Sequence, residues 1–250
     1  MKRRAAWRLM GGGLTIAAFV AVACTNTDTG PSSRVFAAPA WTGPESTTYN
    51  LVQQGGDVYG TCTLETRPGV EPNRTELRRL CSNGPYRDDG IAVVDSASLQ
   101  PFSSTRTVVE PGKQRVHAST YAEGTVHMKT DVNGKVNEID RNLPKPGAKI
   151  PDPGWYDDES LLWLVRGIPL RQGFEGAYYN VAAPIGQVFR VQVAVTGQEK
   201  VKVPAGEYTA WKVRIKTASI TQLLWVDTQA PHRVVRARIE RLTYEMTAAN

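Results

Sequence analysis

Strict alternation of apolar and polar residues runs through the C-terminal half of this 250-residue chain. In 189–195 the odd-numbered residues are apolar, and the same period of two recurs in 211–216 and 235–240. This period gives a strand one buried and one solvated face, which is typical of antiparallel sheets. The phase changes at Glu240–Arg241, where a bulge or a tight turn would occur. The sequence therefore predicts a mainly β fold, a curved antiparallel sheet forming an open half-barrel.

One segment breaks the strand pattern. Acidic residues 157–159 precede the apolar run 161–165, and a glycine and a proline follow. Acidic residues before an apolar body that ends at Gly and Pro predict a short helix. Because apolar residues nearly surround this helix, we expect it to lie over the mouth of the half-barrel. Elsewhere turn residues separate the strands, and Asn133-Gly134 is typical of a two-residue hairpin turn.

The N-terminus has the pattern of an export signal. Four basic residues precede an uncharged stretch, 9–23, that ends in small residues and is too short to span a bilayer. Cys24 follows directly, which resembles the bacterial lipoprotein pattern and implies cleavage before Cys24 and its acylation. The protein would then be anchored to a bacterial cell membrane or outer membrane on the extracytoplasmic face. The alternative is an ordinary secretory signal, with Cys24 an incidental thiol.

Composition divides the chain into three parts: a signal peptide (1–23), the lipidated cysteine with a flexible tether rich in Thr, Ser, Pro and Ala (24–48), and one β domain (49–250). The formal net charge of the whole chain is +6. The leader holds four basic and no acidic residues, so the mature chain has 26 basic and 24 acidic residues. Nucleic acid is therefore not expected as a partner.

Cys62 and Cys81 remain once Cys24 is acylated, and an even number of cysteines in an exported protein favours a disulfide. Segments 58–66 and 75–81 resemble strands on either side of a loop. Antiparallel pairing about that loop places residues whose numbers sum to about 143 opposite each other, as those of Cys62 and Cys81 do. Two buried free thiols are the alternative.

The sequence offers little for catalysis. It contains no nucleophile elbow, zinc-protease motif, P-loop or dinucleotide fingerprint. His117 and His127 could share a metal only if both faced the same side of a sheet. Asp157, Asp158 and Glu159 could form a paired-carboxylate site, although helix-start electrostatics also explains them. We predict no catalytic residue, no metal, no cofactor and no enzymatic activity, with a hydrolase as a less favoured alternative.

Two basic rows lie on predicted strands, namely Lys212, Arg214 and Lys216 on one and Arg236 and Arg238 on another. If the strands share a face, the rows would form a cationic stripe facing anionic lipid. An ordinary solvated exterior is the alternative.

Tryptophans at the positions of Trp163, Trp211 and Trp225 are more often core residues than a ligand platform. A curved sheet with one apolar face and a single helix nevertheless leaves room for an apolar ligand. The candidate cavity lining is Trp163, Leu164, Trp211, Val213, Trp225 and Val235.

The run 197–215 contains the hairpin motif V-P-A-G-E-Y-T-A-W-K-V, followed by L-W-V-D at 224–227 and A-P-H-R-V-V-R at 230–236. These motifs, with 95–104 and 164–174 upstream, resemble an uncharacterised family of exported bacterial β proteins. That family is distantly similar to the LolA/LolB-like lipoprotein carriers. The resemblance implies an open half-barrel whose apolar cavity is partly closed by the short helix, and it carries over no functional residue.

The sequence thus predicts a membrane-anchored exported lipoprotein that binds an apolar ligand or an envelope lipid. Its expected partners are the membrane, through the lipid anchor, and an apolar small molecule or lipid. The alternative is a structural or protein-interaction lipoprotein of the cell envelope that holds no ligand.

Overall fold

The computed structural model describes residues 34–145 and 154–250. The predicted signal peptide and Cys24 lie outside the described residues. The helical elements are the helix α1 (Leu161–Leu164) and the 3₁₀ turns Asp158–Ser160 and Ala183–Ile185. The strands are β1 (Glu45–Gln53), β2 (Val58–Pro68), β3 (Arg74–Asn83), β4 (Tyr86–Asp95), β5 (Pro101–Glu110), β6 (Lys113–Ala122), β7 (Thr125–Val132), β8 (Lys135–Asn142), β9 (Trp155–Asp157), β10 (Glu175–Ala182), β11 (Gln187–Val203), β12 (Gly206–Lys216), β13 (Thr221–Asp227), β14 (Val234–Ile239) and β15 (Leu242–Ala249).

All fifteen strands belong to one sheet, in the order β8-β7-β6-β5-β4-β3-β2-β1-β15-β14-β13-β12-β11-β10-β9. Neighbouring strands are antiparallel except for β9, which is parallel to β10. The first and last strands, β1 and β15, pair in the middle of the sheet, so its two edges are β8 and β9. The predicted fold class is confirmed: the described part of the chain is mainly β, with one open sheet and one short helix. Within the described part of the chain, α1 is far too short to cross a bilayer.

Local backbone geometry explains the turns and the curvature. Asn133 and Gly134 both have positive φ, as a type I′ turn requires. The change of phase near residue 240 is a tight turn, since β14 ends at Ile239, β15 begins at Leu242, and Glu240 has a φ of 52°. Register shifts at Val195/Gly197 and at Trp225/Val226 interrupt the ladders and add twist.

The sheet rolls up until its two ends overlap. On β9, Tyr156 faces the main core and packs edge-on against Tyr178, with ring centroids 5.6 Å apart. Trp155 faces the other way and stacks on Tyr121 of β6, at 5.4 Å. A second, smaller core fills this overlap and contains Val126, Met128, Leu143, Trp155, Val181 and Ala183. The two ends of the sheet therefore meet through packed side chains.

The structure differs from the predicted tether over residues 35–48. Val35 and Phe36 are buried in the main core, and β1 already begins at Glu45. The backbone N–H of Ala37 donates to the carbonyl of Gly167 at 2.8 Å. A side chain at Gly167 would overlap the Phe36 ring, so the glycine allows this close approach. The ordered domain thus starts about ten residues before β1, because two apolar residues in a low-complexity stretch cover the core.

The hairpin β2–β3 places Cys62 directly opposite Cys81. The two residues form the predicted disulfide, and both are buried in the main core. The link lies next to β1 and so ties the N-terminal strands together near the middle of the sheet.

Candidate functional site

A buried cluster of charged side chains lies inside the roll, around the 3₁₀ turn that precedes α1. Glu159 accepts a hydrogen bond from the Arg79 guanidinium at 3.0 Å, and both side chains are nearly inaccessible to solvent. The Glu159 carboxylate lies against the backbone of Gly90 on β4, at a position that any Cβ would occupy. The glycine therefore makes room for the carboxylate.

Asp88 is the second carboxylate of the cluster, and it pairs with the guanidinium groups of both Arg79 and Arg106. It accepts hydrogen bonds from Arg79 at 3.1 Å and from Arg106 at 2.7 Å and 2.9 Å. Burial alone would raise the pKa of Asp88, but the charges of Arg79 and Arg106 hold it below its ordinary value. Two arginines and two carboxylates thus form a charge-balanced network within the roll.

The two aspartates before Glu159 have a different environment. Asp157 accepts hydrogen bonds from the hydroxyls of Ser104, at 2.6 Å, and Tyr121, at 2.5 Å, and from the backbone N–H of Glu159. Burial raises the pKa of Asp157 to about 7. Burial, and then the charge of Glu159, also raise the pKa of Asp158, which accepts a hydrogen bond from Asn180 at 2.9 Å.

Helix-start electrostatics explains part of this segment, since Asp157 caps the turn through the N–H of Glu159. The contacts of Asp157 with β5 and β6, and those of Glu159 with β3 and β4, were not predicted. The three carboxylates therefore have different partners. Asp157 points into the overlap of the two sheet ends, Asp158 contacts Asn180, and Glu159 contacts the two arginines.

A signal for this cluster is present in the sequence. On β4, Asp88 and Gly90 stand in the same phase as the buried residues Ala92 and Val94. A charge in the apolar phase of a strand indicates a partnered charge in the interior. Its partners come from other strands and from the turn before α1, so the sequence alone does not identify them.

The two histidines do not share a metal ion. His117 is buried and lies opposite Thr130, with 3.1 Å between its Nδ1 and the threonine hydroxyl. His127 lies three residues from Thr130 on the same strand and points to the opposite face, where it contacts Asp140. Burial, and then the charge of Arg106, lower the pKa of His117.

The six predicted cavity residues do not line a common cavity. Trp163 fills the roll from α1, and its indole N–H donates to the Thr66 hydroxyl at 2.9 Å. Trp225 pairs with Lys212 and therefore lies on the face opposite Val213, with the Lys212 ammonium 5.6 Å from its ring centroid. Five of the six are buried: Trp163, Leu164, Val213 and Val235 inside the roll, and Trp225 on the opposite face of the sheet, against Lys212 and Arg236.

Trp211, the sixth, is half-buried and borders an open cleft of about 570 Å³. Ile168 and Leu170, which follow α1, form its apolar wall with Trp211. Arg166 lies at its floor, but Glu45 pairs with this guanidinium and the carbonyls of Pro231 and His232 accept from it. The remaining lining residues are Ala37, Ala38, Pro39, Ala40, Gly167, Gln198, Thr228 and His232.

A smaller pocket of about 290 Å³ lies at the end of the roll where the β3–β4 and β14–β15 turns meet. Tyr59, Tyr86 and Tyr244 line it, and it reaches Asp88 of the charged cluster. Burial raises the pKa of both Tyr86 and Tyr244. Through this pocket the charged cluster therefore reaches the solvent at Asp88. The Trp211 cleft is a separate site.

A family model described as "Protein of unknown function (DUF3108)" matches residues 82–245. The chain belongs to the DUF3108 family. This family match and the barrel-like fold confirm the predicted resemblance to an uncharacterised family of β proteins. No curated protein matches the sequence.

The chain is similar to a β-barrel-like protein of the DUF1849 domain from Brucella abortus, with 12% identity and a TM-score of 0.52 over 83% of this chain and 97% of that one. This similarity supports the barrel-like fold alone. A "putative lipoprotein" from Parabacteroides distasonis is 9% identical, with a TM-score of 0.29 over 87% and 100% of the two chains. A "putative exported protein with YmcC-like fold" from Bacteroides fragilis is 13% identical, with a TM-score of 0.28 over 86% and 99%.

Proposed function

We propose that this DUF3108 protein is an exported lipoprotein that binds a small apolar or amphipathic ligand in the cleft beside Trp211 and does not transform it. Acylated Cys24 would hold the protein on the extracytoplasmic face of a bacterial membrane. The observation that carries the binding proposal is the Trp211 cleft, which lies beside a roll whose interior is packed.

The chemistry of the cleft supports an apolar ligand. Its volume of about 570 Å³ lies within the range of small-molecule sites, about 300–1,000 Å³. Trp211, Ile168 and Leu170 offer apolar surface, whereas the charge of Arg166 is already neutralised by Glu45. An anionic ligand would have to compete with that buried ion pair, so a neutral or weakly polar group is favoured.

This proposal moves the ligand from the inside of the half-barrel to one side of it. In the sequence-based prediction the short helix covers a cavity, whereas in the structure α1 and Trp163 fill that space. The similarity that we propose to the LolA/LolB-like carriers therefore concerns the role alone. In both cases a rolled sheet would hold an apolar ligand, but in this protein the ligand would lie at a different position.

Binding can be tested with the apolar fluorophore N-phenyl-1-naphthylamine and by native mass spectrometry of co-purified lipid. Trp211→Ala should weaken fluorophore binding about tenfold, which corresponds to about 1.4 kcal/mol. It should also reduce any co-purified lipid. Phe102→Ala is the matched control, because Phe102 is also a half-buried aromatic residue but packs under Arg74 away from the cleft. Equal affinity in wild type and Trp211→Ala would contradict the proposal.

The packed interior favours a second candidate, an interaction lipoprotein of the cell envelope that holds no ligand. In that case neither the wild type nor Phe102→Ala would bind the fluorophore, and native mass spectra would show the bare chain.

A further inference from the structure

We propose that the outer face of strands β11–β14 is a docking surface for an anionic membrane. We call this surface the cationic face and define it by Arg190, Arg214, Lys216 and Arg238. The inference does not depend on the ligand cleft.

The strand register places these side chains on one side of the sheet. Arg214 pairs with Leu223, which in turn pairs with Arg238, so the three form one row across β12, β13 and β14. Directly opposed residues point to the same face of a sheet. The alternate residues Val213 and Leu224 are buried inside the roll, so the row points outward.

Lys216 and Arg190 extend the row along the strands. Lys216 lies two residues beyond Arg214 on the same face and pairs with Gln192 of β11. Arg190 lies two residues before Gln192 on β11 and therefore points to the same face. All four basic side chains of the cationic face are exposed.

These four charges outnumber their acidic neighbours. Glu175 is exposed on the same face two strands from Arg214, with Ala194 between them, so the face keeps a net positive charge. Within the described parts of the chain, none of the four basic residues forms an ion pair, whereas two acidic residues nearby, Glu199 and Glu245, are already paired with Lys212 and Arg236. Glu240 and Arg241 offset each other in the adjacent turn.

The outer face of β2–β4 shows the opposite arrangement. Arg67 pairs with Glu65 there, and Arg78 and Arg87 both pair with Asp89. The difference is also visible in the composition of the chain, because residues 187–250 contain ten Lys and Arg against five Asp and Glu. The excess positive charge of the mature chain is thus concentrated in this part of the molecule.

An anionic bilayer matches this surface better than a compact anion does. The charges are spread over three strands, at spacings of about 5–10 Å. Ile220 is 39% exposed at the edge of the face, and Leu223 lies between the two arginines, so apolar groups can contact the lipid interface. Each basic residue near an anionic surface strengthens binding about fivefold. The predicted anchor at Cys24 would keep a bilayer within reach.

The test is acetylation of lysines in the purified full chain, read by mass spectrometry. The protein is mixed with vesicles of phosphatidylcholine alone or of phosphatidylcholine with phosphatidylglycerol. Labelling of Lys216 should fall at least about threefold in the anionic vesicles and recover at high salt. Lys113 and Lys135, the exposed first residues of β6 and β8, are internal controls and should label equally in both kinds of vesicle.

The double variant Arg214→Gln/Arg238→Gln should lose the protection of Lys216. The matched variant Lys113→Gln/Lys135→Gln, which also removes two exposed charges, should keep it. Equal labelling of wild-type Lys216 in both kinds of vesicle overturns the proposal, and so does protection that extends equally to Lys113 and Lys135. The comparison of Lys216 with the two control lysines is made in the wild-type protein, so it does not depend on the folding of any variant. A failure of fluorophore binding at the Trp211 cleft would contradict the ligand proposal and leave this comparison unchanged.

Discussion

Gly90 shows how one missing side chain allows a buried ion cluster to form. The Glu159 carboxylate occupies the space in which a Cβ at position 90 would lie, and from there it reaches Arg79. Gly90 lies in the middle of β4, where glycine is ordinarily unfavourable because it weakens the strand. Its presence is therefore explained by the contact with Glu159.

We expect Gly90→Ala to lower the free energy of unfolding by about 2–3 kcal/mol, because the new methyl group displaces Glu159 from its hydrogen bond with the largely buried Arg79. Urea denaturation followed by circular dichroism measures the change. Gly43→Ala is the matched control, since no atom lies within 4 Å of a Cβ there. A loss in Gly90→Ala no larger than in Gly43→Ala would show that Glu159 is free to move.

At the scale of elements, the turn Asp158–Ser160 and α1 act as an internal plug. Trp163 and Leu164 fill the main core, while the acidic residues at the start of the segment reach β3, β5 and β6. A segment that is apolar on nearly all sides is stable only where it is covered. The rolled sheet provides that cover.

The plug should make stability depend on pH. The pKa of Asp157 is about 7 in the folded protein, above its unfolded value of 3.8, so the folded state keeps a proton that the unfolded state loses. This contribution is fully present below about pH 4 and is lost as the pH rises to about 7, by up to about 4 kcal/mol. Asp158 acts in the same direction, and His117, whose pKa is lowered, in the opposite one.

Asp157→Asn should flatten this dependence, because the amide stays neutral at every pH. The measurement is the free energy of unfolding in urea at several pH values from 4 to 8. Asp57→Asn, at an exposed position in the β1–β2 turn, should keep the wild-type profile. An unchanged slope in Asp157→Asn would mean that other groups cause it.

For the whole molecule, closure of the roll depends on segments distant in sequence. The overlap brings β9 against β5 and β6, and the segment before β1 lies across Gly167. The buried pair of Glu45 and Arg166 joins β1 to the end of the plug. Since β1 also pairs with β15, the N-terminal region holds both halves of the sheet together.

Phe36→Ala should therefore lower the free energy of unfolding by about 3–5 kcal/mol, as expected for a fully buried aromatic residue. A residue of a flexible tether would have no such effect. Thermal and urea denaturation measure the loss, and Thr42→Ala, at an exposed position of the same segment, is the control. Equal stability of the two variants would restore the tether interpretation.

The sequence by itself determined the class of fold, the Asn133-Gly134 turn, the short helix and the pairing of Cys62 with Cys81. All of these depend on local signals: a period of two, turn residues, or register about a single loop. Only the tertiary structure decided how far the sheet rolls, that Phe36 covers the core, and that Trp225 and Val213 lie on opposite faces. Those facts depend on bulges and on contacts between distant residues, and one shift of register reverses the face of every side chain beyond it.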